Sequence, residues 1–91
     1  MTYKLLYHPD VHEVDLGPIP TNIRRRIRKA IETRLVRDPV LVGRPLKQSL
    51  KGHRKMRVGD WRVIYRIEAG TIIILMIGNR KDVYKDIVRR I

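Results

Sequence analysis

Cysteine is absent from all 91 residues, which removes disulfide staples, thiolate metal sites and thiol catalysis together. No stretch approaches the roughly 18 apolar residues of a membrane-spanning helix, and the start, Met1 to Tyr7, lacks the long apolar segment of a secretory leader. Repeats and low-complexity runs are missing as well. Acidic residues are scarce, 9 Asp and Glu against 21 Lys and Arg, for a formal net charge of +12. Between Pro39 and Gly59 there are none, while Arg44, Lys47, Lys51, Arg54, Lys55 and Arg57 fall in that interval. These absences predict a cytoplasmic chain forming a single domain over residues 1–91, without cofactor or membrane association. The unbalanced positive charge implies a polyanionic partner, and an acidic protein that covered it would both neutralise and stabilise the fold.

What is present reads as a small α+β domain. Tyrosines among leucines predict a first strand over Thr2 to Tyr7, punctuated by His8-Pro9-Asp10. A short helix from Pro9 to Leu16 follows and is ended by Gly17-Pro18-Ile19-Pro20. Thr21 can cap a second helix with Ile23, Ile27, Ala30, Ile31 and Leu35 at helical spacing, leaving the row Arg24 to Lys29 mostly outside, and Asp38-Pro39 closes it. After a loop through Gly43-Arg44-Pro45 come three β-type runs, His53 to Val58, Trp61 to Glu68 and Thr71 to Asn79. Short turns at Gly59-Asp60 and Ala69-Gly70 make them an antiparallel meander. Val83, Ile87, Val88 and Ile91 predict a terminal helix over Asp82 to Ile91. The expected fold is a mostly antiparallel sheet in β-α-α-β-β-β-α order, with two N-terminal helices on one face and a short C-terminal helix.

A two-residue turn at Gly59-Asp60 sets Val58 against Trp61, Arg57 against Arg62, Met56 against Val63, Lys55 against Ile64, Arg54 against Tyr65 and His53 against Arg66. One face then carries Met56, Val58, Trp61, Val63, Tyr65 and Ile67, a surface for helices. The other carries His53, Lys55, Arg57, Arg62 and Arg66, interrupted by Ile64. The second turn adds Ile73, Leu75 and Ile77 to that cationic side, where the terminal helix or a partner segment could cover them. Like charges directly opposite one another destabilise a sheet, so Arg57 against Arg62 implies a bound anion. A phosphodiester suits guanidinium forks and a shared charge. RNA brings its own nucleophile in the 2′-hydroxyl, so positioning, proton removal and charge stabilisation suffice for cleavage without a metal. A surface that holds nucleic acid without cutting it satisfies the same geometry. His8 and His12, four apart beside Asp10, Glu13 and Asp15, resemble a helical metal pair, but Pro9 disturbs the turn and no metal is expected.

Three stretches carry a family resemblance: Pro45-Leu46, Lys51 to Tyr65 with Arg62-Val63-Ile64-Tyr65 at its end, and Ile77 to Tyr84 with Gly78-Asn79-Arg80-Lys81-Asp82-Val83-Tyr84. The chain resembles the RelE branch of the RelE/ParE toxins in these motifs and in element order. The likeness implies a toxin that cleaves mRNA in the ribosomal A site and is held in check by a cognate, RelB-like antitoxin. It implies that Lys55 activates the 2′-hydroxyl or stabilises the transition state, that Arg57 is a second cation where the family often has lysine, and that Arg62 clamps the scissile phosphate. By the same likeness Arg80 stabilises charge or protonates the leaving group, and Tyr84 stacks on or orients the nucleotide. His53, Arg54, Lys51, Arg66 and Lys81 are the candidates for holding the rest of the RNA. A guanidinium cannot act as a base at physiological pH, so that role lies between Lys55 and His53. Two other activities remain open: a gyrase-directed toxin on the same fold and a non-catalytic RNA-binding module.

Overall fold

Period-two alternation in the central strands builds both faces of the sheet in a computed structural model that describes residues 3–91. The strands are β1 (Lys4–Tyr7), β2 (Arg44–Pro45), β3 (Arg54–Val58), β4 (Trp61–Glu68) and β5 (Thr71–Asn79), in the spatial order β1-β5-β4-β3-β2. β1 runs parallel to β5 and every other pairing is antiparallel. The expected start of β1, Thr2, lies outside the described residues. The β3–β4 register is the expected one, Val58 against Trp61 through Arg54 against Tyr65. Gly59 supplies the positive φ (+58°) that a two-residue turn with glycine first demands. His53 falls outside β3, so its predicted pairing with Arg66 is not made.

Helix α1 (Thr21–Ala30) continues through a wider π-type turn at Ile31–Leu35. Ile27, Ile31 and Leu35 are buried, and Ile23 and Ala30 pack beside them. Together with Val11, from the wide-turned segment Val11–Asp15, this stripe covers Met56, Val58, Val63 and Tyr65 on one sheet face. Thr21 is the first helical residue and not the predicted cap. Pro20 holds the capping position, and the Thr21 hydroxyl accepts from Arg24 Nη2 at 3.1 Å. Two further corrections lie between Pro39 and Pro45, expected as the end of a helix and a loop. Asp38 accepts from Leu41 N and starts a one-turn helix, α2 (Pro39–Val42). The chain then runs extended as β2 along the edge of β3, with Arg44 opposite Lys55 and Pro45 opposite Arg54. Proline is tolerated there because an edge strand can spare a ladder donor.

Another correction is in β5. Leu75 is an extra residue in the β4–β5 ladder, since Tyr65 pairs with Ile74 and Ile64 with Met76. Beyond this bulge the alternation is reversed: Ile77 turns to the helix-covered face, while Leu75 and Met76 join Ile64 on the other. Helix α3 (Val83–Arg90) lays Val83 and Ile87 over those three side chains, so the outer face is half apolar and covered. Gly78 allows the approach, because a Cβ there would lie 3.1–3.2 Å from the Val83 side chain. Among the described residues no helix is long and apolar enough to cross a membrane.

Candidate functional site

The uncovered half of the outer face is a cleft of about 350 Å³ lined by Val42, Arg44, Lys55, Arg57 and Arg62. Register builds it. Arg44 lies across from Lys55, and Arg57, two residues along β3, lies across from Arg62. Strand spacing of ~4.8 Å and a two-residue step of ~6.7 Å therefore gather four cations over an area that one phosphodiester and its neighbours fill. Among the described residues no carboxylate lies within ion-pair distance of Arg44, Lys55, Arg57 or Arg62. Such a cluster repels itself until an anion enters.

Each cation is held differently. Arg62 Nη1 donates to the carbonyls of Gly59 and Trp61, both at 2.9 Å, which fixes the guanidinium against the β3–β4 turn. Its other nitrogens have no hydrogen-bond partner among the described residues. The Lys55 ammonium lies 5.3 Å from the centre of the Tyr84 ring, within cation–π reach, so the first turn of α3 borders the cleft. Arg57 is exposed. Arg80 does not line the cleft: its backbone N–H donates to the Asp60 carbonyl, and its half-exposed side chain faces the Asp60 carboxylate at 3.9 Å. It stands beside the turn that holds Arg62.

The remaining candidates are dispersed. Arg54, a candidate for holding RNA, lies away from the cleft, where Nη2 donates to the carbonyls of Val40 (2.6 Å) and Gly43 (3.0 Å) on the helix-covered side. There it braces the α2–β2 connection together with Tyr65, whose buried hydroxyl donates to the Pro39 carbonyl. Burial pushes the Tyr65 phenol up, against the opposing pull of Arg54. Gly43 makes this packing possible: a Cβ would overlap the Tyr65 hydroxyl and lie 2.8 Å from the Lys55 carbonyl. His53 sits before β3 with Nδ1 3.3 Å from the Leu50 carbonyl. Arg66 is four residues beyond Arg62 along β4 and pairs with Glu68 at 3.1 Å. Lys51 and Lys81 are exposed in turns outside the cleft. Of the residues near the histidine pair, Asp15 is bound to Arg90 and His12 packs edge-on against Tyr7.

Arg44 is the charged cleft residue that sequence reasoning missed as a site residue. Its signal was membership of the acid-free interval, but a two-residue strand containing proline has no period to read.

Comparison with known proteins gives one consistent relationship. Residues 7–84 match the family model described as the ParE toxin of the type II toxin–antitoxin system, parDE. The chain is 36% identical over 73 residues to the toxin RelG of Mycobacterium tuberculosis, spanning 78% of this chain and 84% of that protein. To the toxin RelE of the same organism it is 32% identical over 73 residues, spanning 78% and 75%. The crystal structure of the RelBE2 toxin–antitoxin complex of M. tuberculosis superposes with a TM-score of 0.81 at 29% identity, covering 88% of this chain and all of the matched one.

Proposed function

We propose, from the premise that this chain belongs to the ParE toxin family of type II toxin–antitoxin systems within the RelE/ParE superfamily, that it is a metal-independent endoribonuclease cutting mRNA in the ribosomal A site. The observation that carries this reading is the carboxylate-free cleft of Arg44, Lys55, Arg57 and Arg62. The RelG and RelE names of its relatives agree with it.

In this reading the 2′-oxygen attacks phosphorus, its proton passes to a base, and the 5′-oxygen departs with a proton, leaving a 2′,3′-cyclic phosphate. Arg62, held by the turn, grips a non-bridging oxygen, and Arg57 and Arg44 share the growing negative charge. Lys55, acting as the neutral amine and becoming the ammonium, takes the proton ahead of His53, because Lys55 lines the cleft and His53 is engaged with Leu50 outside it. Tyr84 stacks on a splayed base beside Lys55. Arg80, loosely tied to Asp60, swings toward the leaving group. An acidic, RelB-like antitoxin restrains the toxin, and its binding neutralises the same cations.

Mapping mRNA 5′ ends after brief expression tests the reading. Wild type is expected to produce new ends inside translated regions, and Arg62→Ala to produce none while remaining folded. DNA damage without new RNA ends assigns the chain to gyrase inhibition instead. Salt-sensitive RNA binding without either makes it a non-catalytic binder.

A further inference from the structure

Among the described residues no strand borders the far edge of β5 beyond Ile74, where β1 ends at Tyr7. Two side chains complete that edge. Asp15 Oδ2 accepts from the Ile77 N–H at 2.9 Å, and Arg90 Nη1 donates to the Leu75 carbonyl at 2.9 Å. The two groups also bind each other as a fork, Nη1 to Oδ2 at 2.7 Å and Nη2 to Oδ1 at 2.9 Å, with the side chains only 9% and 6% exposed. Asp10 adds a longer contact to Arg90 Nε at 3.8 Å. A planar bidentate pair fixes orientation as well as distance, and this one lies at the last turn of α3, the helix that brings Tyr84 to the cleft.

Helix α3 has eight residues, too few to hold itself, so its pose depends on tertiary contacts. Val83 is jammed against Gly78 at one end, and Arg90 is bolted to β5 and Asp15 at the other. Packing of Val83 and Ile87 sets the height of the helix over the sheet, but apolar contact is non-directional and leaves its roll soft. Arg90 and Tyr84, six residues apart, point about 120° from one another around the helix axis. Fixing the azimuth of the guanidinium therefore fixes the azimuth of the tyrosine.

We propose that the Asp15–Arg90 fork is a positioning latch that sets the roll of α3 and so keeps the Tyr84 ring beside the Lys55 ammonium; its effect on cleavage rests on the reading above. Neither residue touches the cleft. A displacement of ~1 Å at a positioned group costs on the order of 10²-fold in rate, and a softened roll is expected to cost about tenfold, a fraction of that.

Arg90→Lys keeps the charge but loses the fork, and Asp15→Asn serves if that variant fails to fold. In the otherwise unchanged toxin either variant is expected to lower the single-turnover cleavage rate about tenfold with RNA affinity little changed. In a Tyr84→Ala background the same substitution is expected to add nothing, because the latch acts through that ring. The nuclear Overhauser contact between the Lys55 side chain and the Tyr84 ring should vanish in the latch variant. Equal rate losses in both backgrounds, or a contact that survives, overturn the proposal. If the wild-type chain cleaves no RNA, the functional reading fails alone, and the Lys55–Tyr84 contact still decides the latch.

Discussion

Arg54 and Arg57 stand three residues apart on β3 and face opposite sides of the sheet, and the two sides use a guanidinium in opposite ways. On the helix-covered side Arg54 is bound to the Val40 and Gly43 carbonyls and lies beside the buried Tyr65 hydroxyl, so its charge is committed to holding backbone. On the open side Arg57, Arg44 and Lys55 meet no carboxylate among the described residues, and of the four cations there Arg62 is tied, to two carbonyls of its own turn. Residue type does not separate these roles. Strand alternation does, by sending one cation toward acceptors and the next toward solvent. The two sides are also coupled, because the Arg54–Tyr65 bracing sets the course of α2 and β2, and β2 delivers Arg44 and Val42 to the cleft.

Gly43→Ala strikes that coupling most directly. The new methyl must displace the Tyr65 ring or the β3 backbone, neither of which is a flexible side-chain end. Over-packing of this severity is expected to cost about 3 kcal/mol, seen as a lower midpoint in urea unfolding with an unchanged slope. Adding Tyr65→Phe should recover part of the loss by removing the overlapping hydroxyl. A Gly43→Ala protein as stable as wild type would show that the bracing is not needed.

The two arginines give the next largest effect, with opposite signatures. If the proposed cleavage holds, Arg57→Ala is expected to lower it about 10²-fold, as for loss of one transition-state charge partner. Its stability should hold or rise by a few tenths of a kcal/mol, since a like-charged pair across the ladder disappears. Arg54→Ala should do the reverse, costing about 1.5 kcal/mol of stability through its hydrogen bonds to backbone while altering cleavage only through misplacement of Arg44. Paired measurements of melting and single-turnover cleavage separate the two. Equal effects of both substitutions on both readouts would erase the distinction between the faces.

Most of this arrangement was legible where period and turn chemistry act locally. Gly59-Asp60 dictated the β3–β4 register, and that register alone placed Lys55, Arg57 and Arg62 on one face. The helical stripe of Ile27, Ile31 and Leu35 was equally plain. What escaped depends on contacts distant in sequence. The Leu75 bulge has no glycine or proline to mark it; it is stabilised by Asp15 and Arg90, which no local spacing connects. For the same reason Ile77 was expected on the wrong face. Arg54 was expected to hold RNA because its charge was readable and its acceptors, on α2 and the following turn, were not. Arg80 carried the motif yet stands beside the cleft, paired with Asp60.

The smallest test separates the faces by titration. Burial raises the Tyr65 phenol above its ordinary value of 10.0, even with the Arg54 cation beside it. Above about pH 10 the unfolded chain therefore releases this proton while the folded chain retains it, so the unfolded state binds fewer protons and stability declines as pH rises. Below that pH both states are protonated and the Tyr65 contribution is constant and fully present. Tyr65→Phe is expected to cost about 1 kcal/mol at neutral pH through its lost hydrogen bond, and the gap from wild type should narrow steadily above about pH 10. Tyr7, also raised by burial, is common to both proteins and cancels in the difference. Urea midpoints of the two proteins measured from pH 8 to 11 decide the matter. Parallel curves would mean that the phenol opens to solvent and that the helix-covered side is no more closed than the cleft opposite.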